Sequence, residues 1–183
     1  MNRRELLQRS SLLIGGTLLG ADSLLANHIN WDALDDDLSS GKGIGIFTKA
    51  QIRFLNEIAE TIIPATNTPG AKAAKVGQFI AVIVSDCYDA ERQKRFSEGL
   101  AKLDADSKSR HGKTFMKCSP SLRHDLLTEL DSEQKAYQKN KKKEEPDHYF
   151  RVIKDLTLWG YFTSEIGATQ VLRIVEYPGR YET

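Results

Sequence analysis

Only two of the 183 residues are cysteine, Cys87 and Cys118, and they form neither a C-x-x-C pair nor the C-x-x-C-H of covalent haem attachment. The histidines His28, His111, His124 and His148 stand far apart, with no H-x-x-x-H or H-E-x-x-H spacing for zinc. Charge of one sign is also lacking: 26 basic residues face 25 acidic ones, which leaves no electrostatic footprint for nucleic acid. No apolar run approaches the roughly 20 residues that span a bilayer, because Asp22 interrupts the longest one. Gly41-Lys42-Gly43-Ile44-Gly45 is glycine-rich, but no strand precedes it and its spacing breaks the dinucleotide fingerprint, so it reads as linker. No nucleophile, base and orienting group occur together. These absences exclude the familiar cofactor and catalytic constellations and leave a chain without a catalytic, cofactor or metal site of its own.

What is present begins at the N-terminus. Arg3-Arg4, followed by Glu5-Leu6-Leu7-Gln8, has the form of a twin-arginine export address, a receptor-read signal for proteins that cross the membrane already folded. Leu12 to Gly20 gives a mildly apolar run and Ala21 to Ala26 supplies small residues, so residues 1–26 divide as a targeting segment should. Leu24 makes a poor cleavage site ending at Ala26, which leaves open whether the segment is cut or stays as a membrane tether. Without it, the balance is 23 basic and 23 acidic residues. In an oxidising compartment Cys87 and Cys118 are free to bridge, or to remain as two buried thiols; the sequence leaves both open.

Residues 27–46 read as a linker, with Asp32, Asp35, Asp36 and Asp37 near Ser39-Ser40-Gly41 and no helical or strand period. Structure proper is expected from Phe47. Thr48 and Gln51 form a capping box, with Phe47 and Ile52 placed as a hydrophobic staple. Ile52, Leu55, Ile58, Ala59 and Ile62 then recur on one helical face, and Pro64 ends that helix. A second helix carries Val76, Phe79, Ile80, Ile83, Val84 and Cys87 as a wide apolar stripe. Asp89 caps a third, which stops at Gly112. Ser119-Pro120 opens a fourth, bearing Leu122, Leu126, Leu127 and Leu130. The stretch from Asp131 to Asp147, with Lys139, Lys141, Lys142 and Lys143, reads as a solvated helix end and loop, or more sharply as a basic docking patch. Asp147 is expected to cap a fifth helix running to about Glu165. Beyond Gly167 the pattern loosens into an extended arm. The fold class is all-α: five helices with an extended C-terminal arm over residues 47–183.

Two blocks carry a resemblance. One is Thr61-Ile62-Ile63-Pro64-Ala65-Thr66-Asn67-Thr68-Pro69-Gly70-Ala71, with Val76 and Asp86-Cys87-Tyr88 downstream. The other is Leu156-Thr157-Leu158-Trp159-Gly160-Tyr161-Phe162-Thr163-Ser164-Glu165-Ile166-Gly167-Ala168-Thr169-Gln170, closing with Tyr177-Pro178-Gly179-Arg180-Tyr181. With the twin-arginine start, they resemble the gluconate 2-dehydrogenase subunit 3 family, the small subunit of periplasmic sugar and sugar-acid dehydrogenases. The resemblance implies a non-catalytic partner in the periplasm that binds no cofactor itself. It implies a large FAD-containing subunit of the glucose-methanol-choline type, in some complexes a c-type cytochrome with haem, and engagement of the twin-arginine translocation machinery. Under it, Arg3, Arg4, Leu6 and Leu7 serve export, while Trp159, Tyr161, Phe162, Glu165, Gln170, Tyr177, Arg180 and Tyr181 are candidates for partner binding. On a helix Trp159, Tyr161 and Phe162 cannot all face one core. Either some aromatic surface is covered by a partner, or the chain's own tail wraps it. The alternative function is a periplasmic binding or scaffold protein unrelated to oxidoreductases.

Overall fold

In the computed structural model the described residues are 43–174. The export residues Arg3, Arg4, Leu6 and Leu7, and the arm residues Tyr177, Arg180 and Tyr181, lie outside them. Five α-helices follow in order: α1 Lys49–Ile62, α2 Val76–Cys87, α3 Ala90–His111, α4 Pro120–Asn140 and α5 Tyr149–Thr163. A single 3-10 turn, Phe115–Lys117, joins α3 to α4, and a π turn, Gly167–Val171, follows α5. No strand occurs among the described residues; Ile44 and Phe47 make one isolated bridge.

The helix boundaries follow the expected local chemistry. At α1 the Thr48 hydroxyl accepts from the Gln51 amide while the Gln51 side chain takes the Thr48 amide at 2.9 Å, a complete capping box. Helix α1 ends before Pro64. Asp89 caps α3 by accepting from Arg92 N at 2.8 Å, and Gly112 closes that helix at φ +68°, a left-handed geometry that costs glycine little. Ser119 caps α4 with Pro120 next.

Three expectations need correction. The linker ends earlier than residue 46: Gly43 to Phe47 already fold as a tight turn, and Ile44 is buried. Helix α4, by contrast, runs to Asn140 and gives way to a loop from Lys141, as the reading of a solvated helix end and loop has it, with Gln134 the buried exception among residues 132–139. Helix α5 is capped by His148, not Asp147: His148 Nδ1 accepts from Phe150 N at 3.3 Å. Asp147 instead receives Lys141 Nζ at 3.0 Å and holds the loop before the helix. Finally, residues 167–171 coil into a π turn rather than extending.

The core sits where α1 meets α2, α4 and α5. Leu55, Ile58, Ile80, Val84, Leu103, Phe115, Leu126, Leu130, Phe150 and Ile153 are all but inaccessible to solvent. Each such side chain contributes about 1.5–3 kcal/mol over its exposed state. Cys118 belongs to this interior, its sulfur 3.4 Å from Ser107 Oγ. Cys87 occupies the exposed C-terminal end of α2, and both thiols are free. The disulfide left open above is therefore not formed, and Cys87 is not the buried stripe residue that helical spacing suggested; α2's stripe runs out one turn earlier, at Val84.

Candidate partner-binding site

The second half of α5 is built from residues that face different neighbours. Leu156, Thr157, Gly160 and Tyr161 are buried. Thr157, inside the core, satisfies its hydroxyl by donating to Ile153 O at 2.8 Å, since an unpaired buried hydroxyl is costly. Trp159, on the opposite side, remains 52% exposed.

Gly160 explains how α5 meets α2. A Cβ built there would come within 2.5 Å of the Phe79 ring, so the absent side chain makes the notch into which Phe79 seats. From that notch Phe79 presents its ring to Trp159, with centroids 5.2 Å apart and planes at 89°. Such edge-to-face pairs add about 0.5–1.5 kcal/mol beyond area burial. The indole is thus held in one place while half its surface faces outward. That combination, an aromatic both rigid and exposed, is what interface anchors have in common.

Tyr161 points the other way. Its hydroxyl donates to Pro69 O at 2.7 Å, tying α5 to the loop between α1 and α2, and its ring is almost wholly buried. Phe162 packs edge-on against it at 5.4 Å and is half-buried against the core. Of the three candidate aromatics, only Trp159 stands at the surface; Tyr161 is a core residue. Glu165 and Gln170 are exposed.

The chain then turns sharply. Ser164 Oγ donates to Tyr161 O at 2.6 Å and accepts from Gly167 N at 3.1 Å. Gly167 lies so close to Tyr161 O that a Cβ would sit 2.0 Å from it, which no side chain tolerates. The π turn closes with Leu172 N donating to Gly167 O at 2.9 Å and Ile174 N to Ala168 O at 3.0 Å. It leaves Val171, Leu172 and Ile174 outward, the latter two 50% and 57% exposed. Large apolar side chains exposed in succession mark an interaction surface more than a folding one.

The loop that receives Tyr161 is itself braced by charge. Glu60 accepts from Ala65 N at 3.0 Å and from Lys72 N at 2.8 Å. Glu57 pairs with Lys72 and, at 2.7 Å, with Arg123 Nη1. The Lys72 hydrogen bond, against the opposing effect of burial, keeps the Glu57 carboxyl below the usual carboxylate range. Arg123 also donates to Phe115 O at 3.0 Å and Met116 O at 2.8 Å. These are structural duties: each of these bonds holds a loop or turn. Sequence reading missed Phe79, Glu57 and Arg123 as shapers of the site. A glycine inside the aromatic helix is the signal that pointed to a close neighbour without naming it.

Among the described residues, no group of three histidine, cysteine or acidic side chains could hold a metal ion, and no helix is long and apolar enough to cross a membrane. The family model for gluconate 2-dehydrogenase subunit 3 matches residues 49–179, a range that takes in both sequence blocks. No curated protein and no solved structure matches the chain.

Proposed function

The chain belongs to the gluconate 2-dehydrogenase subunit 3 family, and we propose on that footing that it is the non-catalytic small subunit of a periplasmic sugar or sugar-acid dehydrogenase. Family membership makes it a subunit of a dehydrogenase complex and implies a catalytic partner. In the proposed role that partner is a large FAD-containing chain of the glucose-methanol-choline type. The small subunit stabilises it and escorts it through the twin-arginine route on the strength of Arg3 and Arg4. A c-type cytochrome completes such a complex where electrons pass onward.

The observation that carries this reading is the exposed Trp159, clamped by Phe79 and followed by the outward Leu172 and Ile174. A domain with no other use for that surface gains from covering it with a partner. The test is co-expression with a large FAD-containing subunit of the glucose-methanol-choline type from the same organism. With the unchanged chain, a flavin-bearing large subunit co-purifies and reaches the periplasm. Replacing Arg3 and Arg4 by lysine leaves it in the cytoplasm. Recovery of an intact, exported large subunit with that double variant would overturn the escort role. Failure of any flavoprotein to co-purify with the unchanged chain would overturn the complex itself and favour an unrelated binding protein.

A further inference from the structure

One cavity of the described residues lies away from Trp159. It is a groove of about 630 Å³ between α3, the loop from Lys141 to Asp147, and the start of α5. Its lining contains five cations, Arg92, Arg95, Lys102, Lys141 and Lys143. Three anions, Glu98, Glu145 and Asp147, oppose them. Lys141 is spent locally, on Asp147 at 3.0 Å and the Glu145 carbonyl at 2.6 Å. Arg92 and Arg95 are held only loosely, by Asp89 at 3.5 Å and Glu91 at 3.4 Å on their own helix turn. Lys102 lies 5.2 Å from the centre of the Tyr149 ring. Beneath this basic rim are the apolar walls of Tyr88, Phe96 and Val152. A chain with balanced charge overall has thus gathered an excess of positive charge around one apolar-walled groove.

The place where the described chain begins bears on what fills it. Phe47 meets Phe96, a wall of the groove, with ring centroids 5.8 Å apart. Ile46 N donates to Ser85 Oγ at 3.2 Å, three residues before the wall residue Tyr88. Gly43, the first described residue, packs against Phe47 and so lies near this wall of the groove. In the segment upstream of Gly43 stand Trp31, Asp32, Ala33, Leu34, Asp35, Asp36, Asp37 and Leu38, and no lysine or arginine occurs between Arg9 and Lys42. An extended chain advances at most about 3.3–3.6 Å per residue, which gives Leu38 a reach of about 17 Å from Gly43 and Trp31 about 40 Å.

We propose that the groove between α3 and the α4–α5 loop is the docking site for this chain's own acidic stretch, residues 31–38. The four aspartates meet the arginine and lysine rim, and Trp31, Leu34 and Leu38 supply apolar groups for the walls. Docking in this way fixes the connection between the N-terminal segment and the domain. The inference stands on charge and placement and is independent of the accessory role.

The chain's two tryptophans make the test direct. Trp159→Phe in the full chain leaves Trp31 as the sole tryptophan. Its emission is expected to be blue-shifted, and its quenching by iodide at least twofold weaker than in a synthetic peptide of residues 27–42. Arg95→Glu with Lys143→Glu, both exposed positions, restores peptide-like emission and quenching while the helical circular dichroism is unchanged. Replacing Asp35, Asp36 and Asp37 by lysine, outside the helical domain, does the same. Combining the two sets restores the blue shift. Peptide-like Trp31 emission in the otherwise unchanged chain overturns the proposal, as does emission that ignores both sets of charge reversals. A blue shift that vanishes on dilution assigns the contact to a second copy and also overturns it. So does a groove that, with Trp31 exposed, binds an added poly-aspartate peptide, since the occupant is then another protein's acidic segment.

Discussion

Single atoms decide two properties of this domain. At Gly160 the missing Cβ is the space that Phe79 occupies, and both rings of the Phe79–Trp159 pair depend on it. Gly160→Ala forces Phe79 out of its notch; overpacking of this kind costs about 1–3 kcal/mol, although alanine gains about 1 kcal/mol in helix propensity. Urea unfolding should show a net loss, with Trp159 emission shifting red as the clamp opens. At His148 the relevant atom is Nδ1, which caps α5 only while it is unprotonated. The ring stacks against Tyr149 at 4.6 Å and Tyr137 at 5.7 Å. Burial first, and then Lys102 nearby, hold its pKa below the ordinary 6.5, with Glu133 and Asp106 acting the other way. The folded state therefore prefers neutral histidine. The stability this contributes is present above pH 6.5 and is lost as pH falls through the lower folded value. Melting temperature should fall between pH 7 and pH 5, and His148→Asn, which keeps a capping oxygen, should flatten that slope.

At the scale of elements, α4 and α5 are joined by a polar tie as much as by their leucines. Asp131 accepts from Lys154 at 2.6 Å, pairs with Lys135 at 2.7 Å, and takes the Gln134 amide at 3.1 Å. Burial pushes its carboxyl up, but these three donors outweigh it and bring the pKa down to about 2. The associated stability is present above the unfolded value of 3.8 and is lost as pH drops toward 2. Asp131→Asn should cost about 1–2 kcal/mol at neutral pH, after allowance for solvent screening of the lysines. That loss should vanish near pH 2, a comparison that denaturant titration at the two pH values makes. Elements of this kind also show what was legible from sequence. The caps at Thr48, Asp89 and Ser119 and the stop at Gly112 were readable because each depends on a few adjacent residues. The cap at His148 was not, because aspartate is the stronger capping residue and Asp147 was diverted by Lys141, a partner set by the loop's path. The residue at which α4 gives way to loop was hidden by its polarity: a helix that buries little beyond Gln134 leaves no apolar period to follow. The π turn was hidden because Ser164 and Gly167 act through backbone contacts that no side-chain pattern reports.

At the scale of the whole described domain, the core and the proposed partner surface use different faces. Tyr161 shows that the partition could not be read from residue type: helical spacing separated it from Leu156, yet the loop at Pro69 reaches over to cover it. Trp159 has no such cover. Trp159→Asp should therefore leave unfolding free energy within about 0.5–1.5 kcal/mol of the unchanged chain, the value of the lost ring pair. In a pull-down with the proposed flavoprotein partner it should weaken binding by tenfold or more, as loss of an interface anchor does. Equal loss of stability and binding would instead make the indole a structural residue.

The two thiols carry a last consequence. Neither Cys87 at the surface nor Cys118 beside Ser107 is joined to anything, so the helical domain needs no oxidant and no disulfide shuffling to reach its final packing. Its assembly is indifferent to redox surroundings. Under the proposed export, it can mature and take hold of its partner in a reducing medium before it meets an oxidising one. In the proposed escort role the order of events is then folding first, pairing second and transport last, with no disulfide to be made in the described domain after the journey.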